Sequence, residues 1–300
     1  MIRKYCIALA GALTLFTTGS AAFAETNQAA PLRAKFAALR DALKNNQYQR
    51  PIYIESADAS GTLRGDVYAL VEFPFTAVRT ALTGAGPWCD IMILPLNTKD
   101  CRVTEKADGT ALAVRIGSKY DVPLEDAYSI EFKYRVAETS PDYFAARLDA
   151  VSGPLGTHDY RVLAEAIPND DGKTFVHLRY SYGYGMAGRL AMQVYLATAG
   201  AGKVGFTSSG KDLIGGMRGV VERNTMRYYL AIDAYLAAAA APSAQRVERR
   251  IAAWFDSTEQ YARQLREIDR STYLAMKRKE VQRQKTALDG TSESASPGRL

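Results

Sequence analysis

LAEAIPNDDGKTFVHLRYSYGYGMAG, residues 163–188, decides how the rest of the chain is read. Its end carries Gly183, Gly185 and Gly188 in the spacing G-x-G-x-x-G, after a strand-like run and before a helix-like one. Such a spacing cradles a dinucleotide only inside a parallel βαβ unit, with an acidic residue about 20 positions on. The residues before it read differently. TFVHLRYSY alternates Val176, Leu178, Tyr180 and Tyr182 against Phe175, His177, Arg179 and Ser181. HDYRVLAEAI alternates Tyr160, Val162, Ala164 and Ala166 against Asp159, Arg161, Leu163 and Glu165, and Asn169-Asp170-Asp171-Gly172 between the two runs is a hairpin signal. Period-two strands joined by a tight turn belong to an antiparallel sheet with one covered and one more polar face. No strand ending in Asp or Glu follows the glycines, so they read as a sharp sheet-to-helix corner, not a nucleotide cradle.

Working outward, residues 31–45 place Leu32, Phe36, Leu39 and Leu43 at helical spacing, which predicts an amphipathic helix within an N-terminal segment of residues 25–50. IYIES and LRGDVYALVEF read as strands, and PFTAVRTALTG as a helix with Pro near its start and Gly at its end. Extended pieces are predicted at 91–96, 102–106, 111–117, 127–137, 143–150, 158–167 and 174–182. AYSIEFKYRV sets Tyr128, Ile130, Phe132, Tyr134 and Val136 on one face. A short helix follows at 186–199, then a long one over 211–241 ended by Pro242, then a second long one from 243 to about 286. The last residues, 289–300, are rich in Ser and Gly and read as a disordered tail.

The first 24 residues read as a secretory signal peptide. Arg3 and Lys4 precede the apolar run YCIALAGALTLF, and Ala22-Phe23-Ala24 is a cleavage site, which implies a periplasmic or secreted chain starting at Glu25. Removing 24 of 300 residues leaves 276, with two cysteines, Cys89 and Cys101. In an oxidising compartment they have one pairing available, a disulfide worth roughly 3 kcal/mol on the chain-entropy model. Lys and Arg balance Asp and Glu at 24 each over residues 25–240, whereas 241–300 carry 12 against 8. A neutral body lacks the clustered positive charge of a nucleic-acid surface. The two histidines, His158 and His177, have no nucleophile elbow and no ligand cluster around them, so no catalytic residue, metal ligand or cofactor is expected.

LRGDVYALVEF running into PFTAVRTAL, the hairpin LAEAIPNDDGKTFVHLRYSYGY and the late helix DLIGGMRGVVERNTMRYYLAIDAYL together resemble the helix-grip fold of the START-like (SRPBCC) superfamily. The resemblance covers roughly residues 60–240 and rests on element order, with departures at the inserted helix 186–199, at the cysteine pair and after Pro242. It implies an α+β domain over residues 51–242, a curved antiparallel sheet around a long C-terminal helix, with a helical extension at 243–288. It further implies a cavity between sheet and helix for a hydrophobic small molecule or lipid. The lining would come from Tyr128, Phe132, Tyr134, Tyr160, Val162, Leu178, Tyr180 and Tyr182 on the sheet, and from Met217, Val220 and Tyr229 on the helix. A solid aromatic core shares this pattern, so both stay open.

The leading expectation is a non-catalytic binding or transport protein for such a ligand. A cyclase- or hydrolase-like enzyme of the same superfamily would need an inward acid or base such as Glu72 or Asp233. An envelope interaction protein would act through the extension, whose basic residues Arg246, Arg249, Arg250, Lys277, Arg278 and Lys279 offer a peripheral contact with anionic headgroups or with a protein.

Overall fold

The structure, a computed structural model, describes residues 29–294, except residue 199 and the side chains of residue 209 and of residues 287–294. The segment read as a signal peptide lies outside the described residues. A helix α1 (Ala29–Lys44) leads into the hairpin β1 (Ile52–Ala59) and β2 (Thr62–Val71), followed by helices α2 (Phe75–Leu82) and α3 (Ala85–Met92). Six strands follow as a meander: β3 (Thr98–Lys106), β4 (Gly109–Ile116), β5 (Tyr128–Thr139), β6 (Phe144–Ser152), β7 (Thr157–Pro168) and β8 (Thr174–Tyr184). Then come α4 (Met186–Ala197), a two-residue pair β9 (Ser208–Ser209) and β10 (Asp212–Leu213), and α5 (Gly216–Ala238). The chain closes with α6 (Ser243–Glu259), α7 (Ala262–Leu265) and α8 (Arg270–Ser294).

The large sheet has the order β1-β2-β8-β7-β6-β5-β4-β3, antiparallel throughout, so the hairpin β1–β2 closes onto the last strand of the meander. Bulges between Thr98 and Asp100, Val136 and Glu138, and His158 and Arg161 each add local bend and twist. This is the α+β helix-grip arrangement: a curved sheet whose concave face holds α5. β8 is antiparallel to both of its neighbours, which excludes a parallel βαβ unit at the three glycines. Gly183 lies one residue before the end of β8, Gly185 caps α4, and Gly188 brings α4 against the Leu155 carbonyl, where a Cβ would sit at 3.3 Å.

Before Pro242, two of the predicted elements differ in kind or start. Residues 91–96, expected as a strand, begin as the end of α3 and continue as a buried turn, because a short apolar run cannot be told from a buried helix by periodicity. The long helix starts at Gly216, not at 211, since Leu213 pairs with Ser208 in the small ladder. The Cys89–Cys101 disulfide forms as expected and ties α3 to the edge strand β3.

α5 touches the sheet most closely at β2. A Cβ on Gly65 would lie 2.3 Å from Thr225 Oγ1 and 3.2 Å from the Val221 carbonyl, and that hydroxyl is held in place by its own bond to Val221 O at 2.8 Å. Nearby, the fully buried Glu222 carboxylate accepts from Ser56 Oγ (2.5 Å), the Phe206 and Thr207 amides (2.6 and 2.9 Å) and Thr207 Oγ1 (2.5 Å). It thereby fastens β1 and the segment before α5 to the helix.

The opposite face of the sheet is less polar than its alternation suggests. The apolar stripe of α1 needs a partner and finds one there: Leu32, Leu39 and Leu43 are buried with Tyr68, Tyr143, Ile167 and Phe175 in a second small core, and Phe36 packs on Phe175 at 4.7 Å. Under its edge lies His177, 4% exposed, stacked on Tyr68 at 4.3 Å. Its imidazole bridges Asp66 (2.8 Å) and Glu165 (2.7 Å), with Arg179 and Arg64 also paired to Asp66 and the Tyr143 hydroxyl donating to Glu165. Burial works against the imidazolium, but the bonds to Asp66 and Glu165 outweigh it and raise the His177 pKa. Burial likewise opposes the two carboxylates, and the His177 bonds, helped by Arg179 and Tyr143, bring both below their ordinary values.

The chain after Pro242 joins the main core. Ile251, Trp254, Phe255, Tyr273 and Met276 are buried in it, Trp254 Nε1 donates to Arg227 O (3.0 Å), and the Tyr273 hydroxyl to Leu94 O (2.9 Å). The expected single helix 243–286 is broken into three, because Asp269 caps α8 through the Thr272 amide (2.9 Å) and hydroxyl. α8 runs on through Ser294, past the expected start of a disordered tail at 289; residues beyond 294 lie outside the described residues. Of the six basic residues expected to face a membrane or partner, Arg250 and Lys277 are buried and the other four stay exposed while bonding within the chain. Arg246 donates to Ala241 O, Arg249 to Gln245, Arg278 to Glu248 and Lys279 to Asp121; Arg250 pairs with Asp90 over the Tyr235 ring. Lys277 is fully buried on Pro95 O, Thr98 O and Glu280, and desolvation pushes it down to about 8.

Two predictions follow from these contacts. Gly65→Val forces β2 and α5 apart and should cost about 1–3 kcal/mol, read as a lower chemical-unfolding midpoint. Gly86→Ala, which meets nothing within 4 Å, should leave the midpoint unlowered. For the His177 cluster the contribution of the imidazolium is complete below about pH 6.5 and is lost as pH rises through the raised folded value. That of Asp66 and Glu165 is complete above about pH 4 and is lost as pH falls through their depressed values. Unfolding free energy should therefore decline as pH rises above about 6.5 in the native chain and decline less in His177→Gln; parallel slopes would exclude His177 as the group responsible.

Candidate ligand cavity

Between α5 and the strands away from Gly65, helix and sheet part. The gap is a cavity of about 300 Å³, at the small end of ligand-binding cavities. Ile116, Ile130, Phe132, Thr157, Tyr160, Tyr180 and Tyr182 wall it on the sheet side. Asn224 and Tyr228, four residues apart on α5, face it from the helix, and they stand out as partly exposed positions on a stretch that is otherwise buried. Gly188, Ala191, Met192 and Tyr195 of α4 cover one end, with Pro154, Leu155 and Asn97 on the rim. The lining contains no carboxylate, imidazole, ammonium or guanidinium group.

The aromatic walls hold one another in place. Tyr160 stacks on Tyr182 at 5.3 Å and meets Phe132 edge-on at 6.1 Å, and Tyr180 packs against Tyr182 and Tyr228, each at 5.5 Å. The Tyr160 hydroxyl donates to Thr157 Oγ1 (2.7 Å). Desolvation raises the phenol pKa of Tyr160, Tyr180 and Tyr182 and pushes Tyr228 up to about 12, so these hydroxyls stay neutral at any physiological pH. A neutral phenol both donates and accepts, so the lining can orient a polar atom without carrying charge.

Of the lining residues expected from sequence, Phe132, Tyr160, Tyr180 and Tyr182 come together on the cavity. Val162 and Leu178 lie one layer away, around a second void of about 20 Å³ shared with Trp88, Ile91, Met92 and Leu148; Phe132, Tyr180 and Tyr228 line both voids. Tyr134 is a correction: its hydroxyl donates to Leu82 O (3.1 Å) at the end of α2. Tyr128 is a second, being 53% exposed at the start of β5, because the strand runs past the helix there. On α5, Tyr229 faces away from the cavity, under the Arg50 guanidinium and beside Asp233, and Met217 and Val220 pack into the core without lining the cavity. Tyr228, one residue from the expected Tyr229, takes that place. The expected acid or base is not there either: Glu72 pairs with Lys173 in solvent and Asp233 pairs with Arg50 at 2.8 Å.

α4 has an unusual outer side. Met186, Leu190 and Val194 follow one another at four-residue steps on its solvent face, Met186 being 89% exposed, and Leu155 is exposed beside the rim. Only Arg189 in the helix is charged. Among the described residues no group of three or more His, Cys, Asp or Glu could hold a metal ion, and no helix is long and apolar enough to cross a membrane.

Solved structures match the chain at low similarity. The Zhui aromatase/cyclase from Streptomyces sp. R1128 is 11% identical with a TM-score of 0.33, the match covering 67% of this chain and 95% of that one. Norcoclaurine synthase from Thalictrum flavum is 12% identical with a TM-score of 0.32, covering 52% and 83%. A protein from Arthrobacter aurescens is 10% identical with a TM-score of 0.37, covering 63% and 92%. Each is a likeness at low overlap. No family model matches the chain, and no curated protein matches it either.

Proposed function

We propose that the chain is a non-catalytic binding protein for a hydrophobic small molecule or lipid, held between sheet and α5 beneath α4 and exported by its N-terminal segment to the periplasm or medium. The observation that carries the reading is the uncharged aromatic cavity of about 300 Å³. Burial of apolar ligand surface supplies the affinity, near 25 cal/mol per Å² before the costs of association, and needs no charged anchor. The size favours one ring system or one chain over a two-chain phospholipid. Absence of a carboxylate or imidazole from the lining supports binding over proton-transfer chemistry. The Cys89–Cys101 bridge suits an oxidising compartment. α4 supports the reading as a cover: it is short, it lies over one end of the cavity, and its outer face is apolar enough to part from the body toward an apolar phase.

Organic extraction of the purified mature chain, residues 25–300, followed by mass spectrometry should release a stoichiometric apolar compound. The stripped protein should take up the neutral fluorescent probe N-phenyl-1-naphthylamine saturably. Ala191→Trp, which fills the space under α4, should weaken probe uptake at least about tenfold while leaving a cooperative unfolding transition. An empty protein that takes up no probe would count decisively against the proposal. Fractionation of expressing bacteria should place the mature chain outside the cytoplasm, lacking residues 1–24.

A further inference from the structure

One end of the cavity is backed by positive charge that the lining itself does not contain. Lys119, in the loop after β4, Lys203, before α5, and Arg227, on α5, all converge on a single carboxylate, Glu267, which lies between α7 and α8. Lys119 reaches it at 2.7 Å and Arg227 at 2.7 Å, and Lys203 also bonds to it. Arg223, almost wholly buried and bonded to Val204 O at 3.2 Å, stands close enough to weaken the hold of Arg227 on its proton, after burial itself. Three cations meet one anion, Arg227 and Glu267 nearly buried and the two lysines partly so, and this excess of positive charge is eased by a further anion.

Two cavity-lining groups touch this cluster. Tyr195 of α4 accepts from Lys119 Nζ at 3.4 Å, with the ammonium also 5.4 Å from its ring centre. Asn224 of α5 accepts from Arg227 Nη1 at 3.4 Å through Oδ1. In each case the oxygen is engaged by a cation. Each group still has hydrogen to give: the phenolic proton of Tyr195 and the amide protons on Asn224 Nδ2. Burial pushes the Tyr195 phenol up, and Lys119 with Arg223 more than reverses that, so it lies below the ordinary tyrosine value, unlike the raised phenols elsewhere in the cavity. A donor whose oxygen is held by a cation gives a stronger hydrogen bond, and strongest of all to an anionic acceptor.

We propose that this end of the cavity takes the carboxylate of a small hydrophobic acid, with Tyr195 and Asn224 as its direct donors and Lys119 and Arg227 as the charges behind them. This rests on the binding reading above and narrows it to one ligand class. The apolar body of the acid lies along Phe132, Tyr160, Tyr180 and Tyr182, and its head lies under the C-terminal half of α4, so that binding ties α4 to α5 through the ligand.

Displacement of N-phenyl-1-naphthylamine by decanoate, decanol and methyl decanoate at neutral pH tests it. Decanoate should displace the probe at a concentration about tenfold or more below that of the alcohol and the ester, the margin of a charge-assisted hydrogen bond. Tyr195→Phe, which removes only the hydroxyl, and Lys119→Met, which removes only the charge, should each abolish most of that margin, and Lys119→Met, whose side chain does not line the cavity, should leave probe and decanol binding unmoved. Equal displacement by all three compounds, or variants that weaken all three alike, would overturn the carboxylate assignment while the cavity reading stands. If the native chain takes up no probe at all, the cavity reading fails and this one with it.

Discussion

Where α5 crosses β2, the missing side chain of Gly65 lets Thr225 and the Val221 carbonyl come down onto the strand. This close approach sets the distance between helix and sheet at one side of the molecule. The helix packs on β1, β2 and β8, and because the bulged meander curves away from it, it cannot also fill the space under β4, β5 and β7. The cavity is the remainder. Its width follows from the pivot at Gly65, its walls from the inward residues of a sheet made to bend, and its cover from the turn at Gly183 to Gly188 that sends α4 back across the opening.

Charge is distributed in the opposite way to aromatic surface. Glu222 with its four donors, Lys99 and Lys277 on Glu280, His177 between Asp66 and Glu165, and Glu267 among three cations are all buried or nearly so, yet none lines the cavity. Buried ions persist when paired and hydrogen-bonded, and each of these sets joins segments distant in sequence. They act as fasteners around a hollow whose own polar groups are neutral. The C-terminal helices belong to this scheme: α8 is bound to the turn before β3 by Lys277, Tyr273 and Glu280, so the extension is a supporting layer behind α5.

A cavity of this kind selects by shape and apolar area first, and by its few hydrogen-bonding atoms second. The tyrosines along the sheet are interlocked and leave little room to adapt. α4 is the element with freedom to respond, since it rests on the 3-10 turn Pro154–Gly156 and the end of β8 and turns an apolar face to solvent. Under the proposed binding function, ligand access and retention rest on α4 and ligand shape on the sheet.

The antiparallel sheet, the order of elements and the inward set Phe132, Tyr160, Tyr180 and Tyr182 were legible in the sequence, because a strand with one face against a core must alternate, and alternation survives without knowledge of the partner. The amphipathic stripe of α1 was legible for the same reason, though not the sheet face it would cover. The choice between Tyr228 and Tyr229 was not legible. α5 is enclosed by the sheet on one side and by α6 and α7 on the other, so apolar residues surround it and no periodicity marks the cavity side. The same holds for α4, whose inner Ala191, Met192 and Tyr195 look no different in sequence from its outer Met186, Leu190 and Val194. Nor could composition reveal that Arg250, Lys277 and Lys279 would find partners within the chain, since Asp90, Asp121 and the Pro95 and Thr98 carbonyls are more than a hundred residues away. Sequence alone determined which faces are apolar, a local property of period two or 3.6. Only the tertiary structure decided which of those faces meet, which leave a gap, and which charges close on one another, because those depend on distances that the chain acquires only on folding.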